Sequence, residues 1–205
     1  MTATSFRAEV QGLLRERLLD AAYEMIETSG WSSVTMSKLA AAVGVSRQTV
    51  HTEVGTRHRL AEALALRELA RFLELVRIRL AEQDDIVDGI RSACRGVLEL
   101  GEESVIVRTV FGSLTSENDA DFLAILTTES GEIVQAAVAV ITDGVRELYS
   151  PLPFTDDELD VAAEAIVRLV LSALTRPSKP PAEAAHDIAW VIELALAGAR
   201  ARSSG

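Results

Sequence analysis

Disulfide cross-links, export signals and catalytic motifs are all missing from this chain of 205 residues. Cys94 is the only cysteine, so no intramolecular disulfide can form and a reducing cytoplasm is the expected setting. Its helical spacing with Ile90 and Val97 suggests an inward, structural thiol rather than a redox sensor. No apolar run reaches the length of about 18 residues that a membrane span requires, and the N-terminus lacks the apolar core of a signal peptide. A cytoplasmic protein with no membrane partner is therefore expected. HExxH, CxxC, GxSxG and a glycine-rich phosphate loop do not occur, and His51, His58 and His186 lie far apart. His186 and Asp187 are neighbours, but adjacent helical residues face different directions, so they cannot serve as a base and its orienter. No metal site, no cofactor and no enzymatic activity are expected.

Charge is scarce in one sense and concentrated in another. The net charge is -11, which taken alone argues against nucleic acid. Residues 1–60, however, hold seven Lys or Arg against six Asp or Glu, whereas the remaining chain holds 13 against 25. Between Thr35 and Arg59 four basic residues face one acidic residue, Glu53. A small basic surface is thus set against an acidic body, which favours docking on DNA through one end only.

The segment TMSKLAAAVGVSRQTVHTEVGTR, Thr35 to Arg57, carries that basic surface. Leu39, Ala40 and Val43 recur at helical spacing, Gly44 stands where a tight turn needs positive φ, and Val45, Val50 and Val54 resume an apolar face. Two short helices crossing over one small core are expected, with Ser46 capping the second, from about Arg47 to Thr52. With Val50 inward, Arg47, Gln48, Thr49, His51 and Thr52 fall on outer or flanking surfaces, as a helix entering the major groove requires.

The stretch from Arg17 to about Leu66 resembles the N-terminal domain of the TetR family of bacterial transcriptional regulators. The likeness rests on Ala21-Ala22, Gly30-Trp31, Thr35-Met36, the turn Ala42-Val43-Gly44-Val45-Ser46 and the stop Gly55-Thr56-Arg57. Val50, His51, Thr52, Glu53 and Val54 depart from the family habit of an aliphatic residue, tyrosine, a variable residue, histidine or asparagine, and phenylalanine. The resemblance implies an all-α fold, with a helix-turn-helix domain at residues 1–62 and a larger helical ligand-binding and dimerisation domain at 63–205. It also implies a homodimeric repressor of double-stranded operator DNA. Arg47 is expected at guanine, Gln48 at adenine, and Thr49 at a thymine methyl or a phosphate. Thr35, Ser37, Ser46, His51 and Arg57 are expected at phosphates, with helix capping as the alternative for Thr35 and Ser46. Two-fold symmetry would set the reading helices roughly 34 to 36 Å apart on a near-palindromic operator.

Helices are expected almost throughout the rest. A fourth, starting near Thr56, carries the stripe Leu66, Leu69, Leu73, Val76 and Leu80 out of the first domain. Asp84 and Asp85 read as caps of the next. SVIVRTVF, from Ser104, is rich in β-branched residues and favours a strand by propensity, whereas the resemblance implies a helix, and a helix is expected. Asn118 or Asp119 can start a helix through Glu129. Thr155 and Glu158 form a capping-box pair, and Pro181 suits the start of the last helix. Cys94, Leu98, Arg108, Phe111, Leu114, Phe122, Leu126, Tyr149 and Trp190 are the candidate lining of a cavity for a small hydrophobic or amphipathic effector. The last two helices are expected to pair across the dimer through Val161, Ile166, Leu169, Ala185, Ile188, Ile192, Leu196 and Ala199. The rival readings are a helical lipid or small-molecule binding protein without a DNA role, and an activator on the same scaffold.

Overall fold

A computed structural model describes residues 3–112 and 130–203. Among them there is no strand; the elements in chain order are α1 (Ala3–Ser29), a 3-10 turn (Trp31–Ser33), α2 (Met36–Val43), α3 (Arg47–Val54), α4 (Arg57–Ala81), α5 (Ile86–Glu103), α6 (Val105–Gly112), α7 (Ser130–Tyr149), α8 (Asp156–Thr175) and α9 (Pro181–Ser203). None of these helices is long and apolar enough to cross a membrane. The helix proposed from Asn118 or Asp119 lies outside the described residues.

Contacts divide the described chain into two units, residues 3–68 with 104–112, and residues 69–103 with 130–203. In the first, Leu18, Ala22 and Ile26 of α1 meet Trp31, Val34, Leu39, Val50, Leu60 and Leu64 in one buried cluster. The helix ends follow from side-chain chemistry. Thr35 and Ser46 cap α2 and α3 by accepting from the amides of Lys38 and Thr49 at 3.2 and 3.0 Å, contacts worth about 1 kcal/mol each. Gly44 ends α2 at φ 77° and ψ 34°, a left-handed conformation that costs an L side chain about 1–2 kcal/mol.

The strand propensity of SVIVRTVF is overridden. Ser104, itself buried, accepts from the amide of Val107 at 3.2 Å and starts α6. Val105 and Ile106 then enter the first unit's core beside α1, and burying those side chains outweighs their local preference. A boundary drawn purely along the chain at 62/63 puts this segment in the second domain; contacts put it with the first unit.

In the second unit α5 packs most extensively against α9, and α7 against α8. Leu80, Ile90, Cys94, Leu98, Ile141, Val145, Leu159, Ile166, Ile188, Ile192 and Leu196 form its core. Asp85 caps α5 by accepting from Val87 and Asp88 at 2.8 and 3.1 Å. Thr155 and Glu158 complete both halves of a capping box on α8. The Tyr149 hydroxyl donates to the carbonyls of Leu80 and Gln83 at 2.6 and 3.2 Å, tying the end of α7 to the end of α4. Gly89 makes room for that hydroxyl, because a Cβ there would collide with it. Gly89→Ala is expected to cost about 1–3 kcal/mol through overpacking, and less in a Tyr149→Phe background, where the colliding atom is gone. Urea unfolding of the four proteins of this cycle checks it; equal costs in both backgrounds would refute the collision.

Candidate nucleic-acid interface

The outer side of α3 is built by exclusion. Val50 and Val54 turn into the core, so Arg47, Gln48, His51 and Thr52 stand exposed and Thr49 half-buried. Their hydrogen-bonding capacity is not equal. The hydroxyls of Ser46 and Thr49 share a hydrogen bond of 2.8 Å within the cap, and the Thr52 hydroxyl donates to the Gln48 carbonyl at 3.0 Å. The Thr35 hydroxyl is likewise engaged in capping α2. Arg47, Gln48 and His51 extend beyond these short hydroxyls, with Gln48 and Thr52 one turn apart, as are Arg47 and His51. Arg47 also borders a depression of about 490 Å³ that it shares with Thr35, Ser37 and Arg57.

Arg57, expected at a phosphate, has an internal partner set. Its Nε donates to the Val34 carbonyl at 3.2 Å and its Nη2 to the Trp31 carbonyl at 2.8 Å. The guanidinium lies over the Trp31 ring, 4.3 Å from its centroid. A planar fork that can bond and stack at once is what arginine supplies and lysine does not. Two further arginines escaped the sequence reading. Arg15 of α1 donates to the Glu53 carbonyl at 2.7 Å, and Arg17 to the Val43 carbonyl at 3.5 Å. These contacts join residues 38 and 26 positions apart, beyond the reach of any local pattern.

The described residues among those expected to line an effector cavity fall in both units. Cys94 and Leu98 are buried in the second unit's core, and burial pushes the Cys94 thiol up to about 12. That holds it as an unreactive thiol. Tyr149 is engaged with the α4 carbonyls, and its hydroxyl is raised above its ordinary value by burial and by Asp85 and Asp84. Arg108 and Phe111 belong to α6 in the first unit, Arg108 exposed. Trp190 is 55% exposed on α9, so it lines no interior. Leu114, Phe122 and Leu126 lie outside the described residues. Within the second unit a groove of about 620 Å³ runs between α7 and α8. Val134, Val138 and Leu171 contribute apolar surface there, with Asp143, Arg146, Asp160, Glu164 and Arg168 beside it. Among the described residues no cluster of His, Cys, Asp and Glu could hold a metal ion.

A capped helix-turn-helix inside an all-helical chain defines a DNA-binding regulator, and profile matches place it: residues 18–70 match the bacterial regulatory proteins of the tetR family, and residues 85–193 the bacterial tetracycline repressor C-terminal domain. The chain belongs to the TetR family of transcriptional regulators. It is similar to the HTH-type transcriptional regulator AlkX of Mycobacterium tuberculosis, with 32% identity over 182 residues that cover 89% of this chain and 84% of that protein. Among solved structures, the TetR family repressor AlkX from a Dietzia species, implicated in biodegradation of n-alkanes, superimposes with a TM-score of 0.71. Identity there is 27%, over 90% of this chain and 95% of that one. A TetR-family regulator from Pectobacterium atrosepticum shares the fold, with a TM-score of 0.70, 20% identity and 97% of each chain covered.

Arg57→Ala is expected to destabilise the protein by about 2–3 kcal/mol, since it leaves two carbonyls without a charged donor, and Arg57→Lys to recover less than half of that. Chemical denaturation measures both. A wild-type midpoint in Arg57→Ala would mean that the stacked clamp contributes nothing.

Proposed function

We propose that the chain is a homodimeric repressor that occupies a near-palindromic operator and leaves it when a small hydrophobic or amphipathic effector binds the second unit. The observation that carries this is the exposed, donor-rich side of α3. Gln48 is suited to bidentate pairing with adenine and Arg47 to guanine or, from the depression it shares with Thr35 and Ser37, to a phosphate. His51 and Ser37 are exposed and able to donate to phosphates, whereas Thr35, Ser46, Thr49 and Thr52 contribute the lone pairs and methyl groups that their internal bonds leave accessible. Arg57 supports the interface from beneath.

The dimer reading rests on an apolar surface of the second unit. Val161 and Leu169 on α8, and Trp190, Val191 and Leu194 on α9, are exposed. Of the residues expected to pair across the dimer, Val161 and Leu169 stay on this surface. Ile166, Ala185, Ile188, Ile192, Leu196 and Ala199 close the protomer's own core, and the opposite sides of the same helices remain for a second copy. For the effector, the groove between α7 and α8 combines apolar and charged lining in a volume suited to a small molecule. The AlkX repressor of Dietzia, implicated in n-alkane biodegradation, supports a molecule with an alkyl chain. An effector that binds the released form more tightly must itself be bound less tightly when operator is present.

Two outcomes are expected. Against a duplex selected from a random pool by the wild-type protein, Gln48→Ala should lose about 1–3 kcal/mol of discrimination at one base position, read by fluorescence anisotropy against scrambled DNA. Equal affinity for both duplexes in the wild type, with no salt dependence, would support a helical lipid or small-molecule binding protein without a DNA role instead. By light scattering at micromolar concentration, the wild type should show twice 22.1 kDa and Trp190→Glu a shift to the single-chain mass. A wild type that is already monomeric refutes the dimer.

A further inference from the structure

An α3 of eight residues is about 12 Å long at 1.5 Å per residue, close to the width of the major groove, about 12 Å. A helix of that length laid across the groove brings each of its ends near a phosphate rail. Its N-terminal end suits a phosphate, with a positive dipole and amide donors. The C-terminal end does not, because the last carbonyls are unsatisfied by the helix and carry the negative end of the dipole. The end of α3 would repel the rail it must approach.

A cation from another helix stands at that end. Nη1 of Arg15, on α1, donates to the Glu53 carbonyl at 2.7 Å, and the side chain is exposed. The bond occupies one of the five N–H groups of the guanidinium and fixes its position at the end of α3. It satisfies an end carbonyl, offsets the local negative charge and leaves a forked donor facing solvent. We infer that Arg15 supplies the phosphate contact at the C-terminal end of α3, so that the reading helix is held on one rail by its own N-terminal turn and on the other by α1. This rests on the DNA-binding reading of α3.

A phosphate contact and a purely structural cap differ in what salt does to them. Each neutralised phosphate adds about 0.9 to the log-log salt slope, a factor of about eight in affinity at 0.1 M salt. The test uses full-length protein, a duplex that the wild type selects from a random-sequence pool, and a scrambled duplex, titrated by anisotropy at several salt concentrations. Arg15→Gln removes the charge and leaves a shorter amide donor, and Arg15→Lys keeps the charge. For Arg15→Gln the expected result is a slope shallower by about 0.9 and about eightfold weaker binding at 0.1 M salt. Both duplexes should lose equally, with an unchanged unfolding midpoint, and Arg15→Lys should restore the slope. An unchanged slope in a folded Arg15→Gln protein overturns the inference, as does a loss confined to the selected duplex. Failure of the wild type to select any duplex would instead count against the DNA-binding reading itself.

Discussion

A single guanidinium bonds the start of α4 to the turn before α2, over the core that Leu60 and Leu64 share with Trp31 and Val34. Arg57 bonds the carbonyls of Trp31 and Val34 while lying on the Trp31 ring, and Trp31 is itself buried beneath it. Trp31 precedes the cap of α2, and α2 and α3 pack on each other and on α1. An error at the clamp would therefore pass into the placement of α2 and α3. A charged, planar donor over an aromatic face resists such an error in two ways, by directional bonds and by stacking.

Hydroxyl chemistry divides the labour across the interface. Short hydroxyls at Thr35, Ser46, Thr49 and Thr52 complete caps and helix ends, because they stand too close to the backbone to ignore its free amides and carbonyls. Longer side chains at Arg47, Gln48 and His51 escape that competition and extend outward. The second unit shows the same economy of roles. Tyr149 joins the end of α7 to the end of α4, while Cys94 simply fills core volume among Ile90 and Leu98. α4 is one unbroken helix whose residues belong to both units.

Elements defined by local chemistry were legible in the chain itself. Gly44 in a left-handed turn, the caps at Thr35, Ser46 and Asp85, the capping box of Thr155 and Glu158, and Pro181 at the head of α9 each depend on residues within a few positions of one another. Whatever depended on distant partners was not. Nothing in TVHTEV announces that Arg15 will reach Glu53, and Arg57 looks like a free cation until Trp31 and Val34 are found 26 and 23 residues away. Trp190 was expected to line a cavity, yet it lies on the outer side of α9. Helical periodicity identified the apolar positions of α8 and α9 but could not say which side faces the protomer and which is left over.

The amino-acid sequence by itself determined the helical class, the helix-turn-helix and the family, because caps, turn glycine and apolar period are all short-range and mutually consistent. Only the tertiary structure decided which polar groups are committed internally and which remain to act. It drew α6 into the first unit against its strand propensity, turned Arg57 from a surface cation into a clamp, and set Arg15 beside the end of the reading helix. The physical reason is that a side chain's role follows from the groups that surround it in space, and those come from helices far apart along the chain.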